Sequence, residues 1–139
     1  MQLNEHGYGV GSNSYAAAGE FSGITQLVDV FFTHMETLPE ARKIRNMHPE
    51  DLSESRKKLT YFLSGWLGGP RLYSEHYGEI SIPSFHQNFP IGDGERDAWL
   101  LCMRKAIDAQ PYAESFKEYL FAQLTIPAER VRQMCAVKG

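Results

Sequence analysis

The stretch SIPSFHQNFPIG, residues 81–92, decides how the rest of the chain is interpreted. Pro83 can open a helix, because its missing N–H would be unpaired in the first turn anyway. Pro90 forces Phe89 out of the helical region, so this short helix ends there. His86 lies between the two prolines, among apolar side chains. A short, rigid support that carries one imidazole suits a metal ligand, although a surface or capping histidine fits the same pattern.

The chain has 139 residues, with 14 basic and 17 acidic side chains and a net charge of −3. This length predicts one folded domain over residues 14–135, with a flexible arm over 1–13 and a tail over 136–139. The acidic balance argues against a nucleic-acid partner and against an anionic membrane surface. Neither a signal peptide nor a membrane span is expected, and Cys102 and Cys135 are expected to be reduced thiols of a cytoplasmic protein.

Apolar residues recur at helical spacing along most of the chain, and no β-alternation of useful length occurs, so the predicted fold class is all-α. Asp93 is the predicted N-cap of one helix, and Pro127 is expected to kink or restart the last one. The Gly68-Gly69-Pro70 run is expected to end a helix abruptly. Helices are predicted over 14–19, 21–37, 38–45, 52–66 and 93–109 and from 111 onward, with an ordered loop over 71–82 that can include a turn of helix.

The motifs of common enzyme and metal sites are missing from the sequence. There is no Gly-rich phosphate loop, no Cys-x-x-Cys or His-Glu-x-x-His pair and no Gly-x-Ser-x-Gly elbow. The five histidines never fall three or four residues apart, which disfavours a zinc site on one helix. Any chemistry would therefore depend on a bound cofactor, and a helical domain with one well-placed histidine could hold haem. A helical bundle without a ligand accounts for the same apolar stripes.

Several short motifs follow one another over about residues 15–125. They are Phe31-Phe32, His48-Pro49-Glu50-Asp51-Leu52, Phe62-Leu63, Trp66, Gly68-Gly69-Pro70, Tyr73-Ser74-Glu75, His86-x-x-Phe89-x-Ile91 and Glu95-Arg96-Asp97-Ala98-Trp99-Leu100-x-x-Met103. Each motif is weak alone, but their order is specific. In this order they resemble the truncated, two-over-two haemoglobins, and within them group II. The resemblance implies a truncated globin, a two-over-two helical sandwich around haem b.

The same resemblance assigns roles to individual residues. His86 matches the proximal histidine that binds the haem iron, and Trp99 matches the tryptophan over the distal haem face. Phe32 falls where many members have a tyrosine that hydrogen-bonds the ligand. Since Phe32 cannot donate a hydrogen bond, ligand stabilisation is expected to fall to Trp99 and His48. Further distal positions are Ser55 and Leu59, and the other expected pocket residues are Lys58 (toward a haem propionate, or in solvent), Phe62, Leu63, Phe89, Ile91 and Met103.

Three functions are compatible with the sequence. The first is a haem protein whose five-coordinate iron binds O2 or another small diatomic ligand such as NO. The second is a haem enzyme that turns over NO, nitrite or peroxide, and it would need an external reductase as a partner. The third is a helical interaction module without haem. A monomer or a weak homodimer is expected.

Overall fold

The computed structural model of the protein describes residues 8–9, 11–48, 50–78 and 92–138. Its helices are α1 (Asn13–Ala17), α2 (Glu20–Thr37), α3 (Arg42–Asn46), α4 (Ser53–Trp66), α5 (Leu72–Tyr77), α6 (Asp93–Asp108) and α7 (Glu114–Lys138), with a 3-10 turn over Pro39–Ala41. These ranges contain no strand, and the predicted all-α class is confirmed.

Helix α2 lies at the centre of the fold. Its apolar residues fall three or four positions apart, so one side of the helix is apolar over its whole length. The buried members of this stripe are Ile24, Leu27, Val28, Phe31, Phe32 and Met35. Helix α2 packs against both α4 and α6, and α6 packs against α7. The pairs α2–α4 and α6–α7 form the two layers of the molecule, as the two-over-two prediction requires.

The turn after α4 is built on two adjacent glycines, and the predicted helix end at this point is confirmed. Gly68 has a φ of +95°, and a Cβ there would lie 2.0 Å from the carbonyl oxygen of Gly11. A Cβ on Gly69 would lie 2.3 Å from the ring of Tyr15. The turn therefore needs glycine both for its backbone angle and for the close approach of the N-terminal residues.

The start of α6 differs from the prediction. Asp93 is the first helical residue, and Gly92 is the N-cap. The side chain of Glu95 accepts a hydrogen bond from the Gly92 N–H at 2.8 Å. This bond fixes the entry into the helix from its third position, so no side-chain cap at residue 93 is required.

Two other local predictions left alternatives that the structure decides in part. Residues 72–77 form helix α5 within the predicted ordered loop, as the turn of helix allowed there, and one and a half turns are too short to produce an apolar period. Helix α7 runs through Pro127, so of the two expected effects, a kink or a restart, the restart does not occur. Leu124 before the proline is buried, and Glu129 after it pairs with Arg96 of α6 at 2.6 Å. Both sides of the proline are thus held against the protein.

Candidate functional site

Ion pairs connect the first turn of α6 to α3 and to α7. These contacts fix the start of α6, where the described part of the chain resumes after α5. The carboxylate of Glu95 pairs with Nζ of Lys43 at 3.2 Å. The hydrogen bond from Gly92 and this ion pair hold the pKa of Glu95 below its usual value. On the other side of the turn, Arg96 contacts Glu129 of α7.

A cluster of three aromatic rings and one imidazole lies where α2 meets α6 and the end of α3. We call it the aromatic cluster, and its members are Phe31, Phe32, His48 and Trp99. The Phe31 ring centroid is 5.0 Å from that of Phe32 and 5.2 Å from that of Trp99. The Phe32 and His48 centroids are 5.8 Å apart. All three contacts are edge-to-face, the arrangement that the ring quadrupoles prefer. The structure therefore brings together Phe32, His48 and Trp99, which were assigned to one site.

Phe31 is the member of the cluster that the sequence analysis did not assign to the site. Its ring joins Phe32 to Trp99, and only 1% of its surface is exposed. An apolar position on the buried stripe of α2 predicts core packing and nothing more. Phe31 could have been assigned to the site through Trp99, which was already assigned to it. The partly buried indole of Trp99 packs against a neighbouring ring, and that ring is Phe31.

His48 is held by a hydrogen bond to the backbone of α3. Its Nδ1 lies 2.8 Å from the carbonyl oxygen of Ile44. Burial lowers the pKa of His48 below the usual value; the Ile44 hydrogen bond opposes this effect, and the positive charge of Arg45 adds to it. Because an unperturbed imidazole already has a pKa near 6.5, His48 is neutral at about pH 7.

Arg56 also belongs to this region, although the sequence analysis did not assign it to the site. Its guanidinium carbon lies 5.9 Å from the centroid of the Phe32 ring, and its Nε lies 3.7 Å from Oδ1 of Asp29. That Nε is buried and has no hydrogen-bond partner in the part of the chain that the structure describes. The signal was its spacing from Thr60 and Leu63, which are both buried on the same side of α4.

Helix α4 carries a face of large apolar side chains that are only partly buried. Leu59, Phe62 and Trp66 all contact the core, and the Phe62 and Trp66 rings stack with centroids 6.2 Å apart. Trp99 on α6 is partly buried in the same way. Helices α4 and α6 both pack on α2, yet within the described ranges they have no extensive contact with each other. Partly exposed apolar side chains on two such helices fit a flat apolar cofactor such as haem.

The remaining predicted pocket residues are spread between core and surface. Leu63 and Met103 are fully buried, with 1% and 0% of their surfaces exposed. Ser55 is half-buried on α4. Nζ of Lys58 lies 5.4 Å from the centroid of the Tyr77 ring, so the structure gives this lysine a cation–π contact with α5.

The proximal side of the predicted site lies outside the described residues. His86, Phe89 and Ile91 all belong to this part of the chain, and their roles stay predictions. Among the residues that are described, no group of three or more His, Cys, Asp or Glu is placed to hold a metal ion. No helix in the same ranges is long and apolar enough to cross a membrane.

Comparison with known proteins gives consistent results. Residues 13–132 match the family described as bacterial-like globin. The chain is 37% identical over 117 residues to the group 2 truncated hemoglobin YjbI of Bacillus subtilis, covering 84% of this chain and 86% of that protein.

Two solved structures show the same similarity in three dimensions. The group II 2-on-2 hemoglobin from the plant pathogen Agrobacterium tumefaciens has a TM-score of 0.82 and 38% identity, over 86% of this chain and 92% of that one. The truncated oxygen-avid haemoglobin from Bacillus subtilis has a TM-score of 0.77 and 35% identity, over 85% of this chain and 97% of that one.

Proposed function

Because this chain belongs to the bacterial-like globin family, as a truncated haemoglobin of group II, we propose that it binds haem b through His86 and takes up O2 as its main ligand. Haem, when bound, supplies an iron coordination site for a small molecule. The observations that carry the proposal are the aromatic cluster and the partly exposed apolar face of α4, which both lie on α2 itself or on elements packed against it. The family relative described as oxygen-avid supports O2 among the diatomic ligands.

Trp99 is the hydrogen-bond donor that this cluster offers to a ligand. An indole N–H can only donate, so with haem held at this site Trp99 would stabilise negative charge on an oxygen ligand. The edge-to-face contact with Phe31 fixes the ring, so the donor is oriented before the ligand arrives. Phe31 and Phe32 are buried and apolar, and they exclude competing water from the same side.

The first test is spectroscopic. The ferric, ferrous and ligand-bound spectra of the wild type are compared with those of His86→Ala. A Soret band in the wild type and an altered coordination state in the variant support haem binding through His86. The absence of a Soret band after haem addition would leave the haem-free interaction module as the explanation of the fold.

The second test concerns the donor. Trp99→Phe keeps an aromatic ring against Phe31 and removes the N–H. Loss of one hydrogen bond should raise the O2 dissociation rate about 2- to 12-fold. Tyr119→Phe is the control, because it also removes one donor from a partly buried ring, and Tyr119 packs on Tyr8, away from the aromatic cluster and the apolar face of α4. An unchanged O2 dissociation rate in Trp99→Phe would remove this residue from the role.

A second candidate function is the turnover of NO, nitrite or peroxide at the same iron. It is favoured by one observation, the neutral imidazole of His48 in contact with Phe32, because such chemistry needs a local acid–base group. An external reductase would have to return electrons after each cycle. Steady-state turnover that rises with the concentration of a flavoprotein reductase supports this function. A reaction that stops after one equivalent of substrate supports ligand binding alone.

A further inference from the structure

We propose that His48 presents a hydrogen-bond acceptor to the ligand at neutral pH, so that this residue stabilises ligands that carry a proton, hydroperoxides in particular, and adds nothing for O2, whose stabilisation falls to Trp99. This inference rests on the proposed function, because it places the ligand beside the aromatic cluster. It differs from the expectation that His48 and Trp99 both donate to the ligand.

The hydrogen bond to α3 decides which nitrogen of His48 carries the proton. A backbone carbonyl oxygen can only accept, so the 2.8 Å contact with Ile44 requires the proton to be on Nδ1. In a neutral imidazole the other nitrogen then has a lone pair and no proton. Nε2 of His48 is therefore an acceptor, and it becomes a donor only when the ring is protonated.

The surroundings of His48 keep the ring neutral. Arg45 on the same helix end disfavours a second positive charge. The nearby carboxylate of Glu36 is engaged by cations, since it lies 3.7 Å from Arg45 and 3.9 Å from Arg56. Phe32, the ring in contact with His48, offers neither a charge nor a hydroxyl. The charged groups on the surrounding elements include Asp29 and Glu36 on α2, Arg42, Lys43 and Arg45 on α3, Glu50 and Asp51 in the connection to α4, and Arg56 on α4.

An acceptor and a donor on one site select a ligand with complementary groups. The Trp99 N–H donates to an oxygen, while Nε2 of His48 accepts from an O–H. A hydroperoxide carries both a lone pair and an O–H, so it offers each of these two residues the complementary group. O2, CO, NO and fluoride only accept, and for them the His48 lone pair contributes nothing favourable at neutral pH.

The first experiment measures the tautomer directly. Nitrogen-15 NMR of the imidazole is recorded on the full chain, both without haem and as the diamagnetic ferrous CO form. The expected result is a protonated Nδ1 and an unprotonated Nε2, with a ring that titrates below the ordinary histidine range. A neutral ring with its proton on Nε2 would overturn the inference.

The second experiment compares two ferric ligands in wild type, His48→Phe and His48→Gln. Fluoride only accepts hydrogen bonds, whereas hydrogen sulfide carries a proton. Above the His48 pKa, His48→Phe should leave fluoride affinity unchanged and weaken hydrogen sulfide about 2- to 12-fold, the worth of one hydrogen bond. His48→Gln can rotate its amide to either role, so it should restore sulfide affinity.

The pH dependence of fluoride binding distinguishes a His48 that accepts a hydrogen bond from one that donates. Below the His48 pKa, the protonated ring donates, and fluoride should bind more tightly to the wild type than to His48→Phe. If His48→Phe weakens fluoride equally at about pH 8 and at about pH 5, His48 is a donor throughout, and the inference is overturned. A protein that gives no Soret band fails the proposed function instead, and the NMR result without haem still decides the tautomer.

Discussion

The turn after α4 depends on the absence of a side chain at residue 68. Gly68→Ala introduces two separate penalties. The φ of +95° is unfavourable for any residue with a Cβ, at about 1–2 kcal/mol. The new Cβ would also lie 2.0 Å from the Gly11 carbonyl oxygen, and both atoms belong to the backbone, so no rotamer change relieves the overlap. Relief by a backbone shift adds about 1–3 kcal/mol, giving a total loss of about 2–5 kcal/mol.

Two other glycines provide matched controls. Gly78 has a similar φ of +82° and open space around its Cβ, but its ψ of −171° lies in a region used almost only by glycine, so Gly78→Ala should lose about 1–3 kcal/mol from the backbone conformation alone. Gly94 lies in the first turn of α6 with open space and no positive φ, so Gly94→Ala should stabilise the protein by about 0.5–1 kcal/mol.

The free energy of unfolding is measured by urea denaturation of the three variants and the wild type, all at the same saturating haem concentration. Fixed haem is needed because any ligand of the native state adds to the apparent stability. A loss in Gly68→Ala no greater than that in Gly78→Ala would show that the approach of Gly11 imposes no strain. The explanation of the Gly68-Gly69 turn by close packing would then be wrong.

Three further predictions concern titration and a buried hydroxyl. The ion pair with Arg132, at 2.6 Å, is the main cause that lowers the pKa of Glu129 to about 2. The stabilising effect of this ion pair is therefore present above the ordinary glutamate pKa and is lost as the pH falls toward 2. The difference in Tm between wild type and Glu129→Gln should shrink over that range. Burial raises the pKa of the Cys102 thiol to about 11. A Cys135→Ser variant, in which Cys102 is the remaining thiol, should therefore resist thiol reagents at about pH 8 until it is unfolded. The free energy of unfolding should fall between about pH 9 and pH 11, because the thiol ionises in the unfolded chain first. Ser64→Ala removes the hydroxyl that donates to the Pro70 carbonyl at 2.8 Å and should lower the free energy of unfolding by about 1 kcal/mol in urea titrations.

The sequence by itself determined the fold class, the order of the main helices and the end of α4. These features depend on local patterns, such as the spacing of apolar residues on α2 and the glycines before Pro70. The resemblance to the truncated haemoglobins also assigned Phe32, His48 and Trp99 to one site, and the structure joins them through ring contacts that include Phe31. The role of His86 remains a prediction from the sequence.

The tertiary structure alone decided how the cluster is connected and which groups it offers. Phe31 became the link between Phe32 and Trp99, and Arg56 was found over the Phe32 ring, because helix crossing angles bring together residues that no local pattern relates. The proton position on His48 likewise depends on a carbonyl four residues earlier whose direction only the folded backbone sets. The spacing of residues along the chain predicts which side chains share a helix face. Whether a side chain donates or accepts a hydrogen bond depends on distances that only the folded structure sets.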